Sequence, residues 1–287
     1  MTAKVAFNFK GLMAPVFTAF HDDKRRTVNL NQITPYAEYL KKNGVDGVLV
    51  NGTSGEGMSL SVDERKQTAE RWQKVSQDLK ITTMIQIGGA PFADVIELAI
   101  HAESIKVDSI LCLPELYFKP KTEEELVKYL KDISQFCPTT PLLYYHIPWM
   151  SGVNLNMPKF LNLAEKEIPN FVGLKYTSGD LEQGTACLKP GRSVFLGADT
   201  ILCAAAAIGF ESSIMTTLNF CPELSLEIMK YVRENRLQEA RQTQEVLSKR
   251  VQKILENGEW VPAMKLEFNK IHPASMDSGP VRLVKQL

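Results

Sequence analysis

The feature that most constrains this chain is a regular alternation of short apolar runs with amphipathic segments. The apolar runs that predict strands are 12–20, 47–52, 82–88, 109–114, 141–147, 171–177, 193–198 and 212–218. Most of them are apolar throughout, as expected for parallel strands that are covered on both faces. Strands that alternate with helices imply a parallel sheet, and eight repeats within about 250 residues favour a closed (β/α)8 TIM barrel over an open doubly wound sheet.

Helix signals lie between these runs. Ser61 precedes Glu64, and Thr122 precedes Glu125, by the spacing of a capping box, in which two side chains satisfy each other's backbone N–H groups. We therefore expect helices to begin at these two places.

The chain shows no Pro/Gly/Ser-rich linker, so we expect a single domain over residues 1–287. The barrel would occupy about 10–233, and a C-terminal helical extension about 234–287. Helical patterns at about 236–257 and 261–271 supply that extension.

Charge and composition exclude several classes of protein. Lys+Arg and Asp+Glu are balanced at 33 each, which gives no electrostatic footprint for nucleic acid or an anionic membrane. No apolar run approaches the ~20 residues of a membrane span, and the start of the chain lacks the apolar core of a secretion signal. We therefore expect a cytoplasmic globular protein.

Cysteines and histidines give no metal-binding pattern. The five cysteines have no CxxC spacing, which favours free thiols in a reducing compartment, and the four histidines are scattered with no HExxH motif. We therefore expect no metal and no disulfide frame.

Lys175 is unexpected, because it follows the apolar run 171–174 late in the sixth predicted strand. It could extend to solvent from a strand end. However, its apolar flanks, and Thr177 on the same face, favour a position inside the barrel mouth, where active sites of such barrels lie. Partial desolvation there disfavours a charged amine, and a neutral amine is what a Schiff-base nucleophile requires.

The segment VNGTSGEG, at 50–57, follows the second predicted strand. Its glycines permit a tight turn with exposed amides, and Thr53 and Ser54 add two hydroxyls. Such a turn can hold a carboxylate or a phosphate, although it could equally be a plain Asn-Gly turn.

Two more strand ends carry polar candidates. Tyr145 could relay a proton if it faces the same cavity as Lys175, or it could simply pack in the core. His146 is the other candidate for proton transfer, but by strand alternation its side chain points away from that of Tyr145. In the segment FLGADT, Gly197 and Thr200 would line the mouth. Asp199 would either cap a helix or bind substrate hydroxyls.

Together these motifs resemble the pyruvate-dependent class I aldolases of the dihydrodipicolinate synthase / N-acetylneuraminate lyase family. The resemblance runs from GLMAPVFTAF to about Leu218. It is carried by GTSGE, which is similar to the family's G-T/S-T/S-G-E turn, by YHIP, which matches its Tyr-x-x-Pro strand, and by GLKYTSGDL, which matches its Schiff-base strand.

The resemblance implies a role for each matched residue. Lys175 would form an imine with the ketone of a pyruvate-type substrate, and Tyr145 would shuttle the proton that cleavage or condensation requires. Thr53 and Ser54 would hold the carboxylate, and Thr177 would line the pocket beside the imine. No cofactor is implied.

The resemblance also narrows the substrate. The family's synthases carry an arginine after the proline of the Tyr-x-x-Pro strand, whereas Trp149 and Met150 stand here. This favours the lyases, which reversibly cleave N-acetylneuraminate to pyruvate and N-acetylmannosamine.

Departures in the loops that hold the sugar tail leave alternatives open. Gly197 and Asp199 match the lyase pattern, but Thr200 replaces a glutamate, Thr216 replaces a serine, Met215 replaces a glycine, and Trp149 replaces a small residue. An aldolase for a shorter 2-keto-3-deoxy sugar acid is therefore the first alternative, and a non-catalytic 2-oxo-acid-binding relative is the second.

Tyr117 matches a family tyrosine that reaches into the neighbouring subunit's site in some members. The family is commonly tetrameric, so we expect a homotetramer.

Overall fold

The computed structural model describes residues 5–272 and 274–282. Its centre is a closed barrel of eight parallel strands, hydrogen-bonded in chain order, with β8 pairing back onto β1. The strands are β1 Leu12–Pro15, β2 Gly47–Val50, β3 Thr82–Gln86, β4 Ser109–Cys112, β5 Leu142–His146, β6 Phe171–Tyr176, β7 Ser193–Leu196 and β8 Ser212–Ile214.

Helices surround the barrel and complete the predicted (β/α)8 architecture. The α-helices are α1 Ile33–Lys42, α2 Val62–Leu79, α3 Phe92–Ser104, α4 Glu123–Ser134, α5 Pro148–Ser151, α6 Met157–Glu167, α7 Leu181–Ala186, α8 Leu202–Ala207, α9 Pro222–Arg233, α10 Leu237–Leu255 and α11 Trp260–Ile271. The last two are the predicted C-terminal helices, and their ends lie within two residues of the predicted bounds. The predicted fold class is therefore confirmed.

The two predicted capping boxes have different outcomes. Ser61 and Glu64 form the complete reciprocal box at the start of α2. At the start of α4 the hydroxyl of Thr122 accepts the backbone N–H of Glu125 at 3.2 Å, as predicted. The Glu125 carboxylate, however, accepts the backbone N–H of Lys121 at 2.6 Å, one residue before the predicted partner.

Several strands are shorter than their apolar runs. The run 12–20 contains β1 only over Leu12–Pro15, and the run 212–218 contains β8 only over Ser212–Ile214. Phe17 and Leu218 lie beyond these strands yet are buried. The apolar pattern therefore marked burial under the loops as well as membership of the sheet.

Alternation along the strands separates two cores. Tyr145 faces the barrel interior, where it joins an apolar cluster with Leu143 and Phe195. Its neighbour Tyr144 faces outward and packs in the larger cluster between the strands and the helices. Successive residues of one strand therefore reach different environments, as the pleat requires.

Aromatic rings fill the amino-terminal end of the barrel. The rings of Phe7 and Phe9 lie 6.2 Å and 6.0 Å from that of Phe195, centroid to centroid. Phe195 pairs in register with Lys175 on the adjacent strand. These three rings form the floor beneath the site described next.

Candidate active site

A cavity of about 210 Å³ opens at the carboxyl ends of the strands. It brings together every predicted site residue except Tyr117. The predicted residues that line it are Thr53, Ser54, Tyr145, Lys175, Thr177, Gly197, Asp199, Thr200 and Thr216. The position of the cavity agrees with the rule that the loops after barrel strands carry the site.

Lys175 lies within β6 and its side chain is buried, with only 5% of the residue exposed. Its Nζ donates a hydrogen bond to the Tyr145 hydroxyl at 3.1 Å, and the two residues pair directly in the β5–β6 register. The lysine therefore does not extend to solvent, which was the alternative interpretation of the sequence.

The Tyr145 hydroxyl has a second partner. It lies 3.1 Å from the Thr53 hydroxyl, so three polar groups form one continuous chain from the amine to the β2 turn. A phenol that contacts both an amine and a hydroxyl can accept a proton from one side and donate it on the other. This arrangement is suited to proton transfer beside the amine.

The β2 turn differs from the prediction in its backbone. The left-handed residues are Asn51, with φ 58°, and Glu56, with φ 51°, rather than the glycines between them. Gly57 is required for another reason, because a Cβ there would lie 1.9 Å from the carbonyl oxygen of Asn51. Its N–H donates to the Gly52 carbonyl at 3.1 Å and closes the turn.

The turn presents its hydroxyls to the cavity. Ser54 is buried, and its Oγ lies 3.0 Å from the Thr216 hydroxyl at the end of β8. The Thr18 hydroxyl donates to the Gly55 carbonyl at 2.6 Å and secures the turn from behind.

His146 lies outside the cavity. It is buried on the outer face of β5, where its ring stacks on that of Tyr176 with centroids 5.3 Å apart. Burial lowers the pKa of His146 to about 4, so the imidazole is neutral near pH 7. It is therefore not placed to exchange protons with a group bound at Lys175.

Asp199 is buried at the end of β7 and does not cap the helical turn that it begins. Its Oδ1 accepts the backbone N–H of Thr217 at 2.9 Å, while Ala198 occupies the cap position of the turn. The capping interpretation is therefore wrong. Burial raises the pKa of the Asp199 carboxyl above its ordinary value, against the opposing effect of the hydrogen bonds from Thr217.

Gly197 allows the close approach of two cavity residues. A Cβ at this position would lie 2.1 Å from Thr177 Oγ1 and 3.1 Å from Lys175 Cε. Any side chain at position 197 would therefore displace either the Thr177 hydroxyl or the Lys175 side chain.

Trp260 is a wall of the cavity that the sequence did not indicate. It begins α11, and its Nε1 donates to the Thr216 hydroxyl at 3.3 Å. No local motif marks it, because α11 reaches the mouth only once the barrel has closed.

The residues that depart from the lyase pattern have different locations. Trp149 lines the opening and is 67% exposed, and Thr200 also lines the opening. Met215 is fully buried in the outer core and does not border the cavity. The departures at Trp149, Thr200 and Thr216 therefore alter the surface that a substrate tail would meet, whereas the departure at Met215 does not.

Tyr117 lies away from this cavity, in the loop between β4 and α4. It is 84% exposed, and its ring packs against that of Phe118, which is 81% exposed. Two neighbouring exposed aromatic rings are unusual on a free surface.

Among residues 5–272 and 274–282, no three histidine, cysteine, aspartate or glutamate side chains are grouped to hold a metal ion. The same residues contain no helix with the length and apolar character of a membrane span. The five cysteines are free thiols, as predicted.

Comparison with known proteins gives one consistent family. The model of the dihydrodipicolinate synthetase family matches residues 8–270. The N-acetylneuraminate lyase of Xenopus tropicalis is 33% identical over 277 residues, which cover 96% of this chain and 90% of that protein.

Solved structures agree with this result. The N-acetylneuraminate lyase (sialic acid aldolase) of Aliivibrio salmonicida superposes with a TM-score of 0.89 at 32% identity, covering 100% of this chain and 93% of its own. The N-acetylneuraminate lyase of Proteus mirabilis superposes with a TM-score of 0.90 at 32% identity, covering 97% and 93%. The resemblance drawn from the three sequence motifs is confirmed.

Proposed function

Because this chain belongs to the dihydrodipicolinate synthetase family, we propose that it is a Schiff-base-forming aldolase that reversibly cleaves N-acetylneuraminate to pyruvate and N-acetylmannosamine. The observation that carries the proposal is the buried Lys175 amine, hydrogen-bonded to Tyr145 at the closed end of a cavity lined by hydroxyls. Relatives named N-acetylneuraminate lyase at about one-third identity support the choice of substrate.

Lys175 supplies the nucleophile. Its neutral amine attacks the ketone carbon of the open-chain sugar acid, and the adduct takes up a proton from solvent and loses water to give a protonated imine. The electrons of the C3–C4 bond flow into this imine when the bond breaks, which leaves an enamine on the lysine and releases the sugar as an aldehyde. Protonation of the enamine at C3 and hydrolysis of the imine then release pyruvate and restore the amine.

Tyr145 transfers the proton that bond cleavage requires. The C4 hydroxyl loses its proton as the aldehyde forms, and the Tyr145 oxygen lies 3.1 Å from the amine to which that carbon chain is attached. The Thr53 hydroxyl, 3.1 Å from the same oxygen, stabilises the phenol in either protonation state.

The β2 turn binds the substrate carboxylate. Thr53 and Ser54 offer hydroxyl donors at the cavity wall, and hydrogen bonds to a charged acceptor are worth about 1.5–3 kcal/mol each. Their position across the cavity from β6 places the ketone next to the carboxylate within reach of the lysine.

The sugar tail contacts the β7 and β8 ends. Asp199 and the hydroxyls of Thr200 and Thr216 provide polar partners, while Thr177 and Gly197 border the imine. Among the described residues that line the cavity, Asp199 carries the single carboxylate, and the exposed indole of Trp149 borders the opening. A mouth with a single carboxylate and a large indole at its opening favours, as a second candidate, a shorter 2-keto-3-deoxy sugar acid.

Borohydride trapping tests the chemistry. The protein is incubated with pyruvate, reduced and digested, and the modified peptide is located by mass spectrometry. The proposal requires a pyruvate-derived adduct on Lys175 that is lost in Lys175→Arg. A correctly folded native protein without that adduct would be a non-catalytic 2-oxo-acid-binding relative.

Pyruvate release tests the substrate. N-Acetylneuraminate and 2-keto-3-deoxygluconate are compared at equal concentrations. Turnover of the nine-carbon acid supports the lyase function, whereas activity on the six-carbon acid alone favours the second candidate.

The exposed Tyr117–Phe118 pair supports a homo-oligomeric state, and we extend the proposal to a homotetramer. Tyr117 would then contribute to the site of a neighbouring subunit. Sedimentation equilibrium of the native protein and of Tyr117→Ser gives the test, since a monomeric native protein contradicts it. We also place the protein in the cytoplasm as a single domain that needs no cofactor, in keeping with the balanced charge and free thiols.

A further inference from the structure

A buried ion pair lies behind the β2 turn. Lys265 Nζ is 2.9 Å from Glu56 Oε1, and the two side chains are 1% and 0% exposed. Burial lowers the pKa of Lys265 to about 8, so the fold keeps this lysine in a place where its charge is costly. A buried pair of this kind is weak evidence of a contribution to stability, because its desolvation offsets its attraction.

The hydrogen bonds of Lys265 show which segments of the chain the ion pair holds together. Lys265 also donates to the Thr18 carbonyl at 2.8 Å and to the Pro280 carbonyl at 2.9 Å. Thr18 in turn donates its hydroxyl to the Gly55 carbonyl within the turn at 2.6 Å. One ammonium group thus connects α11, the loop after β1 and the C-terminal segment to the β2 turn.

Arg282 holds the other oxygen of the same carboxylate. Its backbone N–H donates to Glu56 Oε2 at 2.7 Å. Its guanidinium binds both oxygens of Glu64 at 2.7 Å and 2.8 Å and donates to the Ser59 carbonyl at 3.1 Å. The Glu56 carboxylate is therefore fixed from two directions.

Glu56 needs such support. Its φ of 51° and ψ of 31° are left-handed, a conformation that non-glycine residues adopt at a cost in energy. Its backbone N–H donates to the Thr53 carbonyl at 3.0 Å, so its conformation is coupled to the residue that contacts Tyr145. Release of the carboxylate would let the turn relax and would move Thr53 and Ser54 together.

We propose that Lys265 and Arg282 are positioning residues, which hold Glu56 so that Thr53 and Ser54 are presented to the substrate carboxylate. Neither of them lines the cavity around Lys175. The inference rests on the proposed function, because it assumes that the turn binds the carboxylate of a 2-oxo acid. By way of Arg282, the C-terminal segment then contributes to the binding of substrate and not to the chemistry at the Lys175 amine.

The test measures binding separately from imine formation. Borohydride trapping on Lys175 is followed as a function of pyruvate concentration in the native protein and in Lys265→Met. We expect the half-saturating pyruvate concentration to rise roughly tenfold or more, because the hydroxyl donors lose their alignment. Trapping at saturation should still reach the native extent, since Lys175 itself is unchanged.

A second variant distinguishes loss of pyruvate binding from loss of folding. Lys265→Met leaves a buried carboxylate without the ammonium, whereas the double variant Glu56→Gln with Lys265→Met replaces both charges and leaves an oxygen to accept from Arg282. The double variant should fold and should show the same raised half-saturating concentration. Native-like pyruvate binding in the double variant overturns the inference.

A matched ion pair at the opposite end of the barrel provides the control. Arg192 Nε lies 2.6 Å from Glu165 Oε1, with the two side chains 3% and 15% exposed, immediately before β7 begins. Arg192→Met should lower the melting temperature yet leave half-saturation within about twofold of the native value. An equal rise in this control would show a general effect of stability and would overturn the inference.

Failure of the proposed function has a different signature. A native protein that yields no adduct on Lys175 at any pyruvate concentration overturns that function and the inference together. This result is recognised without any variant.

Discussion

Lys175 and Tyr145 face each other across the β5–β6 ladder, with the amine and the phenol oxygen 3.1 Å apart. Because both belong to paired strands rather than loops, the hydrogen bonds of the barrel set their separation. A shift of β5 by one residue would turn Tyr145 outward and bring His146 inward. The chemistry proposed for the site therefore depends on the register of two strands.

Tyr145→Phe should separate cleavage from imine formation. Removal of the hydroxyl takes away the proton-transfer group, and we expect kcat to fall by about 10²–10⁴. Pyruvate should still be trapped on Lys175, because the variant keeps the nucleophilic amine in its place on β6. Steady-state pyruvate release and borohydride trapping on the same preparation provide the two readings, and a native kcat would exclude Tyr145 from proton transfer.

His146→Phe is the companion variant. The imidazole lies on the outer face of β5 against Tyr176, so we expect kcat and KM to remain within roughly twofold of native values. Should the variant lose as much kcat as Tyr145→Phe while keeping its melting temperature, the roles assigned to the two neighbours are reversed.

Ser54→Ala should weaken binding of the carboxylate. The lost hydroxyl would donate to a charged acceptor, an interaction of about 1.5–3 kcal/mol, so KM should rise roughly ten- to a hundredfold. Ser225→Ala, at a buried serine on α9 outside the cavity, is the control for removal of a buried hydroxyl. Equal KM values for the two variants would remove Ser54 from the binding site.

Gly197→Ala should impair the site through crowding. The new methyl group would lie 2.1 Å from Thr177 Oγ1 and 3.1 Å from Lys175 Cε, so one of these groups must move. We expect kcat/KM to fall at least about tenfold, because a small displacement of the nucleophile has a large effect on rate. Gly179→Ala places a methyl group with no neighbour within 4 Å and should retain activity. Equal activity in both variants would show that the site tolerates the shift.

Asp199→Asn should raise stability at neutral pH. Burial raises the folded-state pKa of the Asp199 carboxyl, so its contribution to stability is complete below the unfolded-state pKa and is lost as pH rises through the folded-state pKa. An amide avoids this loss and can still accept the Thr217 N–H. Melting temperatures measured from pH 3 to pH 8 should diverge in favour of the variant as pH rises, and a gap that is constant with pH contradicts the assignment.

Much of the site was predictable from the sequence because strand periodicity and barrel geometry act together. Alternation placed Tyr145 and Lys175 inside and His146 outside, and the barrel rule gathered the strand ends into one mouth. The bounds of the strands were less predictable, since residues such as Phe17 are buried without joining the ladder.

Contacts between distant elements could not be predicted in this way. Trp260, Lys265 and Arg282 reach the β2 and β8 ends from the C-terminal part of the chain, and no spacing within that part marks them. The left-handed backbone conformation of Glu56 could not be predicted for a related reason, because the groups that hold its side chain come from the other end of the sequence.

The aromatic floor has a kinetic consequence. Phe7 and Phe9 close the barrel against Phe195, so molecules bound at Lys175 enter and leave through the carboxyl end. For a sugar acid joined to the lysine through its ketone, the three-carbon product lies deepest, and the departing sugar stands between it and solvent. The products therefore leave in sequence, the sugar first and pyruvate second. In the reverse, synthetic direction pyruvate must bind before the sugar aldehyde.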